Sequence, residues 1–405
     1  MELGGHREES FQSADLVVLS PGVPGDRGPA ARAAASGIPV IGEIELAYRF
    51  MKTPILAVTG TNGKSTATLL AGEMLKAAGF RVFVGGNLGT PLISYADEDD
   101  AADFAVAEVS SFQLDTIDQF APRIAVCLNI TPDHLDRYAD FSAYVRSKAR
   151  IFENQTQKET AVVNRADPAI RQLLPEIAAQ VLPFPAGDES AVGARLEGFA
   201  IHFRLPEKEP FQVSCSRSSL IGAHNRENIA AAGLAAAAAG ASPESIQQTV
   251  DRFRALPHRM EPVAVIDGVH YIDDSKATNV DAVSRALAAF ETPVILIMGG
   301  RGKGGGYSAL KRLFPGRVKH LVVLGEAAGE IEAELGGLCG TSRAESMSEA
   351  IGAAGRHAEA GDTVLLSPAC ASFDMYASYA ARGDDFAACV KSAAKASGKG
   401  AADNG

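Results

Sequence analysis

The sequence predicts an α/β protein built on mostly parallel sheets, and three observations carry that reading. Apolar runs of strand length alternate with helical stretches along nearly the whole chain. The glycine-rich turn Gly60-Thr61-Asn62-Gly63-Lys64-Ser65-Thr66 falls between one such strand and a helix. Further clusters of charged residues, hydroxyls and glycines fall just after other strands, at the edge where open α/β sheets bind ligands.

Taken in order, the first element is a short strand over 16–19, ended by Ser20-Pro21-Gly22 and followed by an alanine-rich helix and a strand over 38–41. Two parallel strands do not make a stable sheet alone, so residues 1–52 read as part of a larger domain or an addition to the next one. A second block starts at Pro54, with strands over 55–58, 81–84, 104–107, 123–128 and 160–163 and helices between them, the first reaching residue 78. From 191 to 215 short strands follow one another without helices, the pattern of an antiparallel edge. Residues 224–239 read as a helix whose alanines suit close packing. A third block follows Leu256-Pro257-His258-Arg259, with strands over 263–266, 294–298, 321–324 and 363–366. The expected organisation is a partial, Rossmann-like N-terminal domain (1–52), a P-loop-type central domain with a mostly parallel sheet (53–256), a Rossmann-like C-terminal domain (257–395) and a disordered polar tail (396–405).

Composition narrows the function. A net charge of -11 disfavours general nucleic-acid binding, because little here would neutralise a phosphate backbone. No apolar run is long enough to span a membrane, and the opening MELGGHREES lacks the apolar core of a signal peptide. Cys127, Cys215, Cys339, Cys370 and Cys389 are scattered and form no CxxC pair. The expectation is a cytoplasmic protein with reduced thiols and no zinc site.

Residues 60–66 have the context of a phosphate loop. Glycines turn backbone amides toward an anion, the helix start adds its positive end, Lys64 reaches the outer phosphates and Ser65 ligates Mg²⁺. The pattern is short: the position five before Gly63 is Val58, where the full motif has glycine. Glu108, in Ala107-Glu108-Val109-Ser110-Ser111-Phe112-Gln113-Leu114, closes a strand beside that loop and suits metal ligation. His134, in Asn129-Ile130-Thr131-Pro132-Asp133-His134-Leu135-Asp136-Arg137, sits in a polar loop after another strand. Lys148 on the next helix reads, by itself, as a solvated lysine. Three turns of the last block, at 273–279, 299–304 and 366–374, combine glycines, lysines and hydroxyls suited to carboxylates or phosphates.

With these residues in view, the chain resembles the Mur ligase family. The short phosphate loop, EVSSFQL, DHLDRY, Gly222-Ala223-His224-Asn225-Arg226-Glu227-Asn228 and Pro257-His258-Arg259 recur there in this order, and the match runs from residue 16 to about 390. SSFQL, DDSKATN and LSPACASFDMY followed by Arg382-Gly383-Asp384 resemble the D-glutamate-adding branch. The resemblance implies an ATP-dependent amide ligase of peptidoglycan precursor synthesis that joins D-glutamate to UDP-N-acetylmuramoyl-L-alanine through an acyl phosphate. It implies two Mg²⁺ ions, held by Ser65, Glu108, His134 and a carbamylated Lys148. Gly60, Thr61, Asn62, Gly63, Lys64, Ser65, Thr66, Asn225, Arg259 and Asp274 would contact ATP. Ser20, Gly22 and Asn87 would contact the UDP substrate, and Lys276, Thr278, Lys303, Ser372 and Phe373 the amino acid. A monomer is expected. Relative to the family, a piece on the order of 30 residues, the size of a βαβ unit, is expected to be absent before residue 16. Three other readings stay open: a ligase of the same superfamily with another amino-acid substrate, such as folylpolyglutamate synthase or another Mur ligase; a P-loop ATPase or kinase acting as a nucleotide switch; and an inactive chain that binds ATP and D-glutamate but not the uridine precursor. Dependence of phosphate release on D-glutamate separates them.

Overall fold

The computed structural model describes residues 7–20, 22–96, 102–135, 137–187, 191–220, 222–254, 256–304 and 306–396. The tail from 397 on, together with Pro21 and Asp136 of the motifs above, lies outside the described residues. The chain forms two compact units. One comprises residues 1–131, 142–218 and 225–253; the other comprises 132–141, 219–224 and 254–405.

The first unit opens with two parallel strands, β1 (Val17–Leu19) and β2 (Val40–Gly42), with Val17 opposite Val40. A small core of Val17, Leu19, Ala30 and Ala33 backs them. The helix Glu43–Phe50 then ties this segment to the rest of the unit. Its Glu45 is fully buried, and its carboxylate accepts the backbone N–H groups of Asp118 (2.9 Å), Gln119 (3.0 Å) and Phe120 (3.0 Å) and the Arg49 guanidinium (2.8 Å). A buried carboxylate needs such a donor set, so the small sheet does not stand alone.

A wholly parallel sheet follows: β3 (Ile55–Thr59), β4 (Val82–Gly86), β5 (Phe104–Glu108), β6 (Ile124–Cys127), β7 (Thr160–Asn164) and β8 (Gln180–Phe184), in the order β4-β5-β3-β6-β7-β8. Every residue of β3 and β6 is buried, which accounts for their unbroken apolar runs. β8 carries Pro183 and sits at the sheet's edge, where a missing N–H is tolerated; the proline is what hid it in the sequence. β3 lies between β5 and β6, so the strand order reverses at its C-terminal end, the point where such sheets bind ligands.

β9 (Gly193–Glu197), β10 (Ala200–Arg204) and β11 (Phe211–Ser214) are antiparallel, as their spacing predicts, but they form a separate three-stranded sheet rather than an edge of the parallel one. Ile201, Phe203 and Val213 bury one face of it. The helix Ala223–Ala238 is buried from Asn228 to Ala237, and small side chains permit that all-round packing.

The second unit holds β12 (Glu261–Ile266), β13 (Val269–Asp273), β14 (Val294–Gly299), β15 (Val318–Leu324), β16 (Gly340–Arg343) and β17 (Thr363–Leu366), ordered β12-β13-β17-β14-β15-β16. β12 and β13 form an antiparallel hairpin, where strict strand-helix alternation is the sequence expectation. Its turn is Asp267-Gly268, both at positive φ (50° and 81°), a hairpin signal that outweighs alternation. The other pairs are parallel. One core packs Leu296, Met298, Leu321 and Phe314 on one face; another packs Ile295, Ile297, Val364 and Phe386 on the opposite face. All five cysteines are free. Among the described residues no helix is long and apolar enough to cross a membrane.

Candidate active site

The first unit gathers one group of expected site residues around the end of β3. Residues 60–63 form the turn, and the helix Lys64–Ala77 starts at once, with Gly63 at its N-cap position. Gly63 has φ 86°, and a Cβ there would collide with the Asn228 carboxamide. Only glycine therefore allows this approach. Asn228 in turn donates to Asn225 Oδ1 (3.2 Å), which places Asn225 beside the loop.

Lys64 Nζ donates to the carbonyls of Gly60 (2.9 Å) and Thr61 (2.8 Å). Lys148 Nζ donates to the same Gly60 carbonyl at 2.9 Å and lies 4.8 Å from the centre of the Tyr144 ring. Lys148 is 1% exposed, so it is not the solvated lysine its local sequence suggests. The wall around it includes Ser147, whose hydroxyl donates to Ser111 O, and Tyr144, whose hydroxyl is 3.2 Å from Thr61 Oγ1.

Glu108 is buried at the end of β5, in register with Val58 of β3 and Gly86 of β4. Asn87, the residue after β4, donates its side-chain amide to Glu108 Oε1 at 2.7 Å. Ser65, Thr61 and Thr66 are also buried at this edge. The loop after β6 completes it. Asn129 exchanges hydrogen bonds with Asn62 through its carboxamide, and Thr61 Oγ1 donates to Thr131 O while accepting from Thr131 N–H. Ser20 and Gly22 follow β1.

The second unit gathers the rest. The loops after β13, β17 and β14, strands that neighbour one another in that order, carry Asp274, Ser275, Lys276 and Thr278, then Ser372 and Phe373, then Arg301 and Lys303. Lys303 Nζ reaches Thr278 Oγ1 and Asp133 Oδ1, each at 3.3 Å, while Asn279 donates to Asp133 Oδ2 at 3.1 Å. His134, at φ 54°, belongs to this unit with Asp133 and takes that residue's carboxylate on its backbone N–H. Lys276 Nζ sits 3.6 Å from the Tyr379 ring centre, a cation-π contact. Ser372 is 2% exposed and Phe373 64% exposed.

Buried charge organises this edge. Asp274 accepts from Ser367 Oγ (2.9 Å) and from Met260 N–H (3.3 Å), and burial raises its carboxyl to about 7, opposed by those bonds and by Arg259. Asp273 is also raised by burial; His258 Nδ1 holds it at 2.7 Å. His258, Glu261 and Asp273 bring donor atoms within 4.8 Å of one another, but His258 already uses Nδ1 on Asp273 and its N–H on Glu261. Arg382 was quoted in the sequence only as part of a motif. It is 2% exposed and bonds Ser275 Oγ (2.9 Å), Ser275 O (2.8 Å), Cys370 O (3.1 Å) and Gly299 O (3.3 Å), so one guanidinium pins three loops. Burial lowers it to about 10.

Comparison with known proteins gives one domain match in each part of the chain. Residues 58–236 match the Mur ligase middle domain and residues 258–370 the Mur ligase, glutamate ligase domain. UDP-N-acetylmuramoylalanine--D-glutamate ligase of Desulfosudis oleivorans is 52% identical over 391 residues, 96% of this chain and 85% of that protein. The protein of that name from Geotalea daltonii is 45% identical, over 97% of this chain and 87% of its own length. Among solved structures, MurF ligase from Thermotoga maritima in complex with ADP superposes with a TM-score of 0.68 at 17% identity, covering 95% of this chain and 97% of that one. E. coli FolC in complex with DHPP and ADP gives 0.62 at 19% identity, covering 88% and 93%. At those identities the structural likeness speaks for the fold, whereas the sequence matches span most of the chain: it belongs to the Mur ligase family.

Proposed function

We propose that the chain is a cytoplasmic, monomeric ATP-dependent amide ligase that adds D-glutamate to UDP-N-acetylmuramoyl-L-alanine in peptidoglycan precursor synthesis. The observation that carries this reading is the 52% identity, across 96% of the chain, to a relative named for that activity. Residues 1–52 serve the UDP substrate, 53–256 the nucleotide and 257–395 the amino acid.

The ATP γ-phosphoryl group passes to the carboxylate of UDP-N-acetylmuramoyl-L-alanine, giving an acyl phosphate and ADP. The glutamate amine attacks the acyl carbon, the tetrahedral adduct expels phosphate, and the amine's proton is lost. Two anions must approach in the first step, so positive charge has to be in place beforehand. Lys64 supplies it at the β- and γ-phosphates, moving from the Gly60 and Thr61 carbonyls it now contacts. Gly60, Thr61, Asn62, Gly63 and Thr66 shape the phosphate turn, and Asn225, Arg259 and Asp274 contact the rest of the nucleotide.

Ser65 and Glu108, a hydroxyl and a carboxylate buried at the same edge, suit a hard oxygen-seeking ion. With His134 and Lys148 they would hold two Mg²⁺, whose chemistry when bound is to neutralise charge on the transferring phosphoryl group. Lys148 serves as a carbamate, formed when its deprotonated amine adds CO₂ and releases a proton. Lys64 and Lys148 both donate to the Gly60 carbonyl; two ammonium groups at one oxygen repel, and turning one into an anion removes that repulsion. Ser20, Gly22 and Asn87 contact the UDP substrate. Lys276, Lys303, Thr278, Ser372 and Phe373 take the acidic amino acid, whose two carboxylates suit two lysines and a hydroxyl.

The test is phosphate release with ATP, Mg²⁺ and UDP-N-acetylmuramoyl-L-alanine, comparing D-glutamate, L-alanine and diaminopimelate. Release dependent on D-glutamate is expected. Release without any amino acid would favour a nucleotide switch, and dependence on another amino acid would move the substrate within the superfamily.

A further inference from the structure

Glycines at φ 150° (Gly60) and 86° (Gly63) give the phosphate turn wide backbone freedom. Left to itself such a turn samples many shapes, and a nucleotide that had to select one would bind more weakly for it. The structure holds the turn from outside. Asn129, 4% exposed, accepts the Asn62 N–H on Oδ1 at 2.8 Å and donates from Nδ2 to the Asn62 carbonyl at 3.0 Å. Its own main-chain carbonyl accepts the Thr61 N–H at 2.8 Å. Only a primary amide offers a neutral donor and acceptor side by side, the complement of a residue's N–H and C=O.

Asn129 is itself fixed from behind. The carbonyl of Leu128 accepts from Asn164 Nδ2 at 3.0 Å, and the Ile130 N–H donates to Asp167 Oδ2 at 2.8 Å. The other oxygen of Asp167 caps the helix Pro168–Leu173 through the N–H groups of Ala169 and Ile170. The turn's position is thus referred to β7 and the helix behind it. With the Thr61 and Asn62 N–H groups engaged by Asn129, an incoming phosphate is directed to the first turn of the helix Lys64–Ala77.

We propose that Asn129 is a positioning residue that presets the phosphate turn in its anion-binding shape, so that its carboxamide governs nucleotide affinity and not glutamate recognition. This rests on the reading of residues 60–66 as the nucleotide phosphate site.

The experiment is calorimetric titration of the full chain with ADP and Mg²⁺ across a pH series, alongside thermal melting and glutamate KM. Asn129→Ala should raise the ADP Kd about tenfold or more, with the glutamate KM unchanged within about twofold. Asn129→Asp keeps the acceptor for the Asn62 N–H, but its ionised form sets an oxygen against the Asn62 carbonyl; once protonated it returns a donor. Its affinity deficit should therefore shrink as pH falls from about 7 toward the ordinary aspartate value of about 4, while that of Asn129→Ala should not. This reversal tests the idea even where Asn129→Ala does not fold. Wild-type affinity in both variants overturns it, and so does a deficit in Asn129→Asp that is constant with pH and matched by a lower melting temperature. A wild-type chain without ADP affinity overturns the phosphate-site reading and this inference together.

Discussion

At the C-terminal edge of the first sheet the phosphate turn is held largely by neutral groups, the Asn129 carboxamide, the Thr61 hydroxyl and backbone amides, with the Lys64 and Lys148 ammonium groups added at its Gly60 carbonyl. At the corresponding edge of the second sheet the loops are pinned by buried charge, with Arg382 across three loops and Asp273 and Asp274 beneath them. The contrast follows from what each edge is proposed to receive. A polyphosphate needs positive charge that can turn toward it, and neutral pins add no anion to compete with it for Lys64 and the helix start. An acidic amino acid with its own amine needs both signs of charge placed close together, and buried ionic groups hold such loops in register. Dry ionic groups also bring pH dependence, so the two edges should differ in how they respond to substitution and to pH.

The largest effect is expected at the neutral edge. Lys64→Ala should lower phosphate release by on the order of a thousandfold while leaving the melting temperature in place. Near-normal kcat would remove the phosphate-loop assignment and with it the comparison.

Next in size is Lys148→Ala, expected to lose on the order of a hundredfold in kcat and to recover in part with acetate, a carboxylate small enough to enter the vacated space. Lys148→Arg should not recover, because its side chain still fills the site with a cation. Full activity of Lys148→Ala without additive would show that no anion is needed there.

At the charged edge, Arg382→Met should cost about 3 kcal/mol of stability, because three loops lose a charged donor and their carbonyls stay buried. A lower urea midpoint at constant m-value would register it. An unchanged midpoint would mean that buried charge does not organise this edge.

The smallest effect is a slope. Burial raises the folded carboxyl of Asp274 from its ordinary 3.8 to about 7. The folded state therefore holds this proton more tightly than the unfolded state does. Its contribution is complete below the unfolded value and is lost as pH rises through about 7, at no more than about 1.4 kcal/mol per pH unit. Unfolding midpoints measured between pH 4 and 8 should fall less steeply for Asp274→Asn than for the wild type. Parallel profiles would place the pH dependence elsewhere.

Much of this is legible in the sequence alone. The alternation of apolar runs and helices identified the parallel sheet, and Gly63-Lys64-Ser65 between strand and helix marked the edge that matters. Glu108 was legible because it closes a strand beside that loop. Lys148 was not: its neighbours Ser147 and Arg150 look like a solvated helix face, and only the resemblance to the family singled it out. β8 was hidden by Pro183, and β13 by the reading of strict alternation over Asp267-Gly268.

The sequence by itself determined most of the element order, the glycine-rich turn at 60–66 and the family, because each is written in residues close together in the chain and follows from local periodicity, turn chemistry and motif spacing. Only the tertiary structure decided what holds those turns still. The Asn129 carboxamide meets Asn62 across 67 residues, and Arg382 meets Ser275 across 107. Bonds of that span depend on which strands become neighbours, and strand order is set by the packing of whole sheets, which no local pattern records.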